Sequence, residues 1–372
     1  MRIPAESPLR EDLLLETYRL ERNMKQIIRF VVSACISMTI GVFSARAATY
    51  GPSTMYAPPP SVPKPGSLYP RAVQLHHAGS QNGIMLATFE EYSKGTPSFP
   101  IYRSTNGGAT WSVFSHMTDT ENGWDMRFQP FLYELPEALG SMPAGTILCF
   151  GNSIPADSSQ TRLDMYKSLD HGARWFFVSH IASGGVANPN GTQDPVWEPF
   201  ALLANKKLIV YYSDERDPKH NQKIVHQTSA DGIQWGKAVD DVAIAPTERP
   251  GMPVVAKMGN GNYIMSWGCV CDGTIYTSVK TTGDPEGWNA SDAGIKISGS
   301  GGTPYIAWTP SGGPNGTLAQ ISNSSNNIFV NRAYGAPGSV WTQIPAMIGK
   351  GTAALLSSYP IRTRCSRLAL SR

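Results

Sequence analysis

Charge is scarce in this chain of 372 residues: Asp, Glu, Lys and Arg make up 16%, and the formal net charge is only +3. No stripe of Lys or Arg interleaved with aromatics runs through the body, so nothing in the chain is built to follow a phosphate backbone, and nucleic acid is excluded as the expected partner. Cysteine is sparse as well. Beyond the N-terminal region only Cys149, Cys269, Cys271 and Cys365 remain, which leaves room for one bridge, and Cys-x-Cys without matching His or Cys partners does not make a zinc site. His76, His77, His220 and His226 share no convergent spacing, so no metal and no cofactor is expected. Sustained helical periodicity with caps is missing after Gly51, which argues against a helical body.

A long apolar run is missing too. The mostly apolar stretch Phe30 to Phe43 has 14 residues, fewer than the roughly 20 that span a bilayer. Lys25 and Arg29 supply a basic start after Met24, and Ala45-Arg46-Ala47 a small-x-small cleavage pattern, so 24–47 reads as a secretory signal peptide. Residues 1–23 then read as an extension of the gene model ahead of the true start. A secreted, extracellular protein is expected, monomeric and free of the membrane after cleavage. Sequons at Asn190, Asn289, Asn315 and Asn323 are sites such a chain can have glycosylated.

What the chain does have is glycine (36), proline (29) and aromatics (10%), the composition of a turn-rich all-β protein. Ser104-Thr-Asn106-Gly-Gly108-Ala-Thr110-Trp111 recurs as Ser168-Leu-Asp170-His-Gly172-Ala-Arg174-Trp175 and, shortened, as Ser229-Ala-Asp231-Gly232-Ile-Gln-Trp235, with weaker copies ending at Trp288 and Trp341. The tryptophans are 64, 60, 53 and 53 residues apart, a spacing that suits one blade of four short strands per repeat. Asn or Asp with Gly accepts the left-handed backbone of a tight turn, and the Ser bonds back across it. Strand signals at 72–75, 84–88, 146–150, 208–212, 263–267, 305–308 and 328–330 fall between the turns. The expected layout is a Pro-rich lead-in over 48–69, a propeller over 70–360 and an atypical basic tail over 361–372. Only 31 residues follow Trp341, so the last blade is expected to be incomplete. The repeat turns are expected on the outer rim, away from the functional site.

The candidate chemistry centres on Asp194-Pro195-Val196-Trp197-Glu198-Pro199-Phe200. A carboxyl beside an indole, with proline on its other side, is an acid in a fixed frame, and burial against an aromatic face raises its pKa toward neutrality. Arg71, Arg127, Arg216 and Arg249 stand beside strand ends, where they are able to bond sugar hydroxyls or else pair with a nearby carboxylate. Trp197 and Tyr305 are candidate surfaces for a furanose ring, or else buried blade aromatics.

The repeat turns resemble the Asp boxes of sialidase-like propellers. Tyr69-Pro70-Arg71, Thr88-Phe89-Glu90-Glu91-Tyr92, Arg127-Phe128-Gln129-Pro130, Trp197-Glu198-Pro199-Phe200, Tyr211-Tyr212-Ser213-Asp214, Arg249-Pro250-Gly251-Met252-Pro253 and Thr309-Pro310-Ser311-Gly312-Gly313-Pro314-Asn315-Gly316 narrow the resemblance, over 69–341, to the fungal exo-α-1,5-L-arabinanases of glycoside hydrolase family 93. The resemblance implies a six-bladed propeller that releases arabinobiose from linear plant cell-wall arabinan or arabino-oligosaccharides with retention of configuration. It makes Glu198 the catalytic acid/base; the candidate substrate contacts are Arg71, Arg127, Asp194, Trp197, Arg249 and Tyr305. It also places the second glutamate at the end of Tyr263-Ile264-Met265-Ser266-Trp267-Gly268, where this chain has Gly268. Asp272, Glu248 and Glu91, with Glu90 beside the last, are the candidate substitute carboxylates. Two alternatives stand beside this arabinanase reading, a carbohydrate-binding propeller without catalysis and a sialidase-like exo-glycosidase.

Overall fold

The computed structural model describes residues 54–345, apart from 93, 94, 96, 189–192, 324 and 325, together with strands at 355–358 and 365–368. The expected gene-model extension (1–23), the signal peptide (24–47), Asn190 and the rest of the 361–372 tail lie outside the described residues.

Five antiparallel four-stranded sheets follow one another along the chain. The first holds β1 (Ser67–Gln74), β2 (Met85–Glu91), β3 (Phe99–Ser104) and β4 (Ser112–Met117), and the second β5 (Asp125–Glu134), β6 (Ile147–Ile154), β7 (Thr161–Ser168) and β8 (Phe176–Gly184). The third holds β9 (Val196–Ala204), β10 (Lys207–Asp214), β11 (Lys223–Ser229) and β12 (Val239–Val242). The fourth holds β13 (Arg249–Lys257), β14 (Tyr263–Cys271), β15 (Thr274–Thr282) and β16 (Ile295–Lys296). The fifth holds β17 (Tyr305–Thr309), β18 (Thr317–Ile321), β19 (Asn327–Asn331) and β20 (Thr342–Pro345). The first strands touch in sequence, β1 to β5 to β9 to β13 to β17, and so line an axis. This is a β-propeller. Middle strands such as β6 and β10 are buried almost throughout, because each sheet is sandwiched between its neighbours, and they read as near-continuous apolar runs.

The expectation of six blades is corrected to five four-stranded blades and a two-stranded hairpin, β21 (Leu355–Ser358) with β22 (Cys365–Leu368). β21 lies beside both β17 and β1. β21 and β22 are the only strands that follow β20 among the described residues. β1 opens at Ser67, inside the expected lead-in, and the lead-in is held to β2: Tyr56 stacks on Phe89 at 4.8 Å and donates its hydroxyl to Glu91.

The Asp boxes also join blades. Ser168 Oγ bonds Asp170 and receives Gly172 N–H at 2.8 Å, and Ser104 and Ser229 repeat the pattern. Four residues past the box tryptophans Trp111 and Trp175 stand Ser115 and Ser179. Ser115 donates to Gly172 O and accepts from Trp175 Nε1, while Ser179 does the same for Gly232 O and Trp235 Nε1. β4 and β8, the outermost strands of the first two blades, thereby carry the Asp-box turns of the second and third.

A second recurrence sets the centre. In each blade a residue before proline, at or just ahead of the innermost strand, has positive φ: Tyr69 (49°), Gln129 (52°), Glu198 (64°), Met252 (57°) and Thr303 (49°). Four of the five sit at shifts in strand register, the mark of a β-bulge. Left-handed backbone at residues other than glycine costs on the order of 1 kcal/mol or more each and collects at functional sites.

Candidate active site at the centre of the ring

Three of these five residues meet. Glu198 Oε2 accepts from Ser213 Oγ at 2.6 Å and from Met252 N–H at 2.7 Å, and Oε1 lies 3.4 Å from the Tyr69 hydroxyl. Gly251 makes this approach possible. A Cβ there would stand 3.0 Å from both Glu198 Oε2 and Ser213 Oγ and would collide with Gln222, which gives Arg-Pro-Gly-Met-Pro a physical reason for its glycine. Burial raises the Glu198 carboxyl above its ordinary range, against the pull of the Ser213 and Met252 donors.

Glu90, on β2, is a second carboxyl of the same centre. It is 1% exposed, accepts Gln129 N–H at 2.7 Å and the Tyr92 hydroxyl at 3.0 Å, and feels the charges of Arg71 and Glu198. Burial pushes it up to about 8, so at neutral pH it is a protonated acid. Its neighbour Glu91 turns the other way, to Tyr56, because successive strand residues face opposite sides. Glu91 is therefore corrected as a substitute carboxylate, and Glu90 takes its place at the centre. Arg71 stands 5.4 Å over the ring of Tyr305 and donates to Pro70 O.

Glu90 gives folding a pH signature. An unfolded glutamate releases its proton near 4.5 whereas the folded one keeps it to about 8. The contribution is full below the lower value and falls as pH rises through the window, by a few kcal/mol. Glu90→Gln is expected to flatten the decline in urea midpoint between pH 5 and pH 8. Asp164 and Asp241, each raised to about 6 by burial, keep their share of the slope in both proteins, so the difference between them is the readout.

Other expected contacts lie elsewhere. Arg249 is tied to the centre indirectly: Nη2 donates to Glu215 Oε1 at 2.6 Å, and the same oxygen accepts from Trp197 Nε1 at 2.9 Å. Trp197 is 5% exposed and packs near Phe128, so it is a buried brace and not a sugar platform. Arg127 pairs with Asp125, and Arg216 with Asp214, two residues away in each case. Asp194 is exposed on the loop before β9. Asp272 is the first residue of the Asp-Gly turn between β14 and β15, and its N–H donates to Glu248, so neither supplies a carboxylate to Glu198. Cys269 and Cys271 form a disulfide, and Cys149 is a buried free thiol. A cavity of about 400 Å³ lies toward the other ends of the inner strands, lined by Gln74, His77, Tyr133, Glu134, Lys257 and Trp308 among others, and does not reach Glu198.

Sequence reasoning named Glu90 only beside Glu91 as a substitute carboxylate, and did not join it with Ser213, Met252 and Glu215 in one network. The recurring X-Pro dipeptide at 69, 129, 198, 252 and 303 was the available signal for the centre.

Fold and site together define a β-propeller of the glycosidase type, with a buried carboxyl network on its axis. The chain is 42% identical to an α-L-arabinanase of Penicillium chrysogenum solved with arabinobiose, with a TM-score of 0.77 over 82% of this chain and 88% of that one. It is 39% identical to a family 93 α-L-arabinofuranosidase of Fusarium graminearum, also solved with arabinobiose, with a TM-score of 0.76 over 83% and 89%. These likenesses show that the chain belongs to glycoside hydrolase family 93. The NanB sialidase of Streptococcus pneumoniae, 11% identical with a TM-score of 0.54 over 83% and 66%, shares the fold alone. No family model matches the chain, and no curated protein matches it.

Proposed function

We propose that the chain is a secreted arabinan-directed propeller that holds the non-reducing end of linear arabinan or an arabino-oligosaccharide at the Glu198 centre. Glu198 is the acid/base of a retaining cleavage that releases arabinobiose. Retention needs a second carboxyl about 5–5.5 Å away to attack the anomeric carbon. The resemblance puts that carboxyl at 268, where Gly268 offers none, so hydrolysis is slow while recognition is kept. The observation that carries this reading is the seat of Glu198, fixed by Ser213, Met252 and Tyr69, in a chain whose relatives hold arabinobiose.

Calorimetry with arabinotriose and sialyllactose tests it. Binding of the arabinan fragment only, with arabinobiose release barely above background and lower still in Glu198→Gln, is the expected result. Robust release that persists in Glu198→Gln defeats the assignment, and binding of sialyllactose alone favours the sialidase-like alternative.

A further inference from the structure

The site as read above keeps the group that moves a proton and lacks the group that bonds to the anomeric carbon. We propose that this centre makes glycosidic bonds: it transfers an arabinosyl unit from a β-configured donor with a good leaving group to a sugar hydroxyl, Glu198 acting as the base. The inference rests on the reading of Glu198 and Gly268 given under the proposed function and adds a reaction to it.

The geometry around Gly268 carries the idea. Gly268 is buried in β14, opposite Gly251 of β13 and Thr277 of β15. A Cβ built on it would stand 2.9 Å from Met252 Cε, 3.3 Å from Thr303 N and 3.4 Å from Gly302 Cα. Met252 also gives its N–H to Glu198 and lies 3.4 Å through Sδ from the Tyr69 hydroxyl, so this one residue spans from the base to the bare face of Gly268. Two polar groups with hydrogen-bonding capacity to spare stand on or beside that side. Thr303 is 7% exposed and its Oγ1 has no hydrogen-bond partner. Arg71, over the ring of Tyr305 two residues further on, makes no ion pair among the described residues. A guanidinium and a buried hydroxyl favour an electronegative group leaving toward Gly268, which is the side a β substituent occupies when the acceptor comes from the Glu198 side.

With a glycosyl fluoride the step balances. The acceptor O–H proton passes to the Glu198 carboxylate, the acceptor oxygen bonds to the anomeric carbon, and the carbon–fluorine bond breaks with its electron pair leaving as fluoride. One displacement turns β into α, and the α-linked product meets no nucleophile able to reopen it, so it accumulates.

The experiment uses the natural chain with β-arabinobiosyl fluoride as donor and arabinotriose as acceptor, reading fluoride by electrode and oligosaccharides by mass spectrometry. Fluoride release at least tenfold above the enzyme-free rate, matched by α-linked arabinopentaose and lost in Glu198→Gln, is expected. Gly268→Glu should give hydrolysis in place of elongated product. Fluoride release without elongation overturns transfer, as does elongation that survives Glu198→Gln. Arabinotriose binding without fluoride release overturns this inference and leaves the proposed function standing, whereas failure to bind arabinotriose removes both.

Discussion

Gly268→Glu is expected to raise arabinobiose release from linear arabinan by about a thousandfold or more, the scale on which a missing nucleophile is felt. The backbone at 268 is not left-handed, and the nearest atom to a new Cβ is the terminal methyl of Met252, the far end of a flexible side chain. Accommodation then needs a rotation of Met252 and a few tenths of an ångström from Thr303. Val270→Glu is the control. It lies on the same face two residues along, about 6.6 Å away, and is half-exposed, so it should give no gain. If Gly268→Glu folds with an unchanged melting temperature and stays as slow as the natural chain, position 268 is not the nucleophile's seat.

Lys280→Ala is expected to cost about 2 kcal/mol of stability, since the buried carbonyl of Asp241 and the part-buried carbonyls of Asn289 and Asp292 lose their donor at once. Lys280, on β15, is 5% exposed and donates through Nζ to Asp241 O at 2.7 Å, Asn289 O at 2.8 Å and Asp292 O at 3.2 Å, with the Trp267 ring at 5.4 Å. It thus ties β12 of the third blade to the loop of the fourth. Burial lowers its ammonium to about 8, a sign that the site tolerates the charge only because the carbonyls receive it. Urea unfolding at pH 7 reads the loss. A change under about 0.5 kcal/mol, the scale of an ordinary surface substitution, would show that the three carbonyls find other donors.

The ring was legible because its turns are local. Ser, Asp or Asn, Gly and Trp at fixed offsets carry their own hydrogen bonds, and the repeat needs no knowledge of what packs against it. Glu198 was legible for a related reason, as Trp197 and Pro199 bracket it in sequence. The remaining carboxyls depended on register. Glu90 and Glu91 are adjacent and alike in composition, and only strand alternation, set by the bulge at Tyr69-Pro70 on the facing strand, decides which one enters the centre. Arg127 and Arg216 were drawn to carboxylates two residues away, a competition that strand-end position does not reveal. The sixth blade was inferred from resemblance, and among the described residues only the β21–β22 hairpin follows the fifth blade.

Tyr69, Gln129, Glu198, Met252 and Thr303 occupy one backbone conformation in five successive blades. Backbone shape fixes the address and leaves the occupant free, so a phenol, an amide, an acid, a thioether and an alcohol stand at equivalent stations around one axis. Gly268 is not one of these stations, since it belongs to a second strand, β14, that reaches the centre from behind. The two carboxyl positions of the proposed reaction therefore lie on different kinds of strand, Glu198 at a station and position 268 behind it, so a replacement on the rear strand leaves every station in its place.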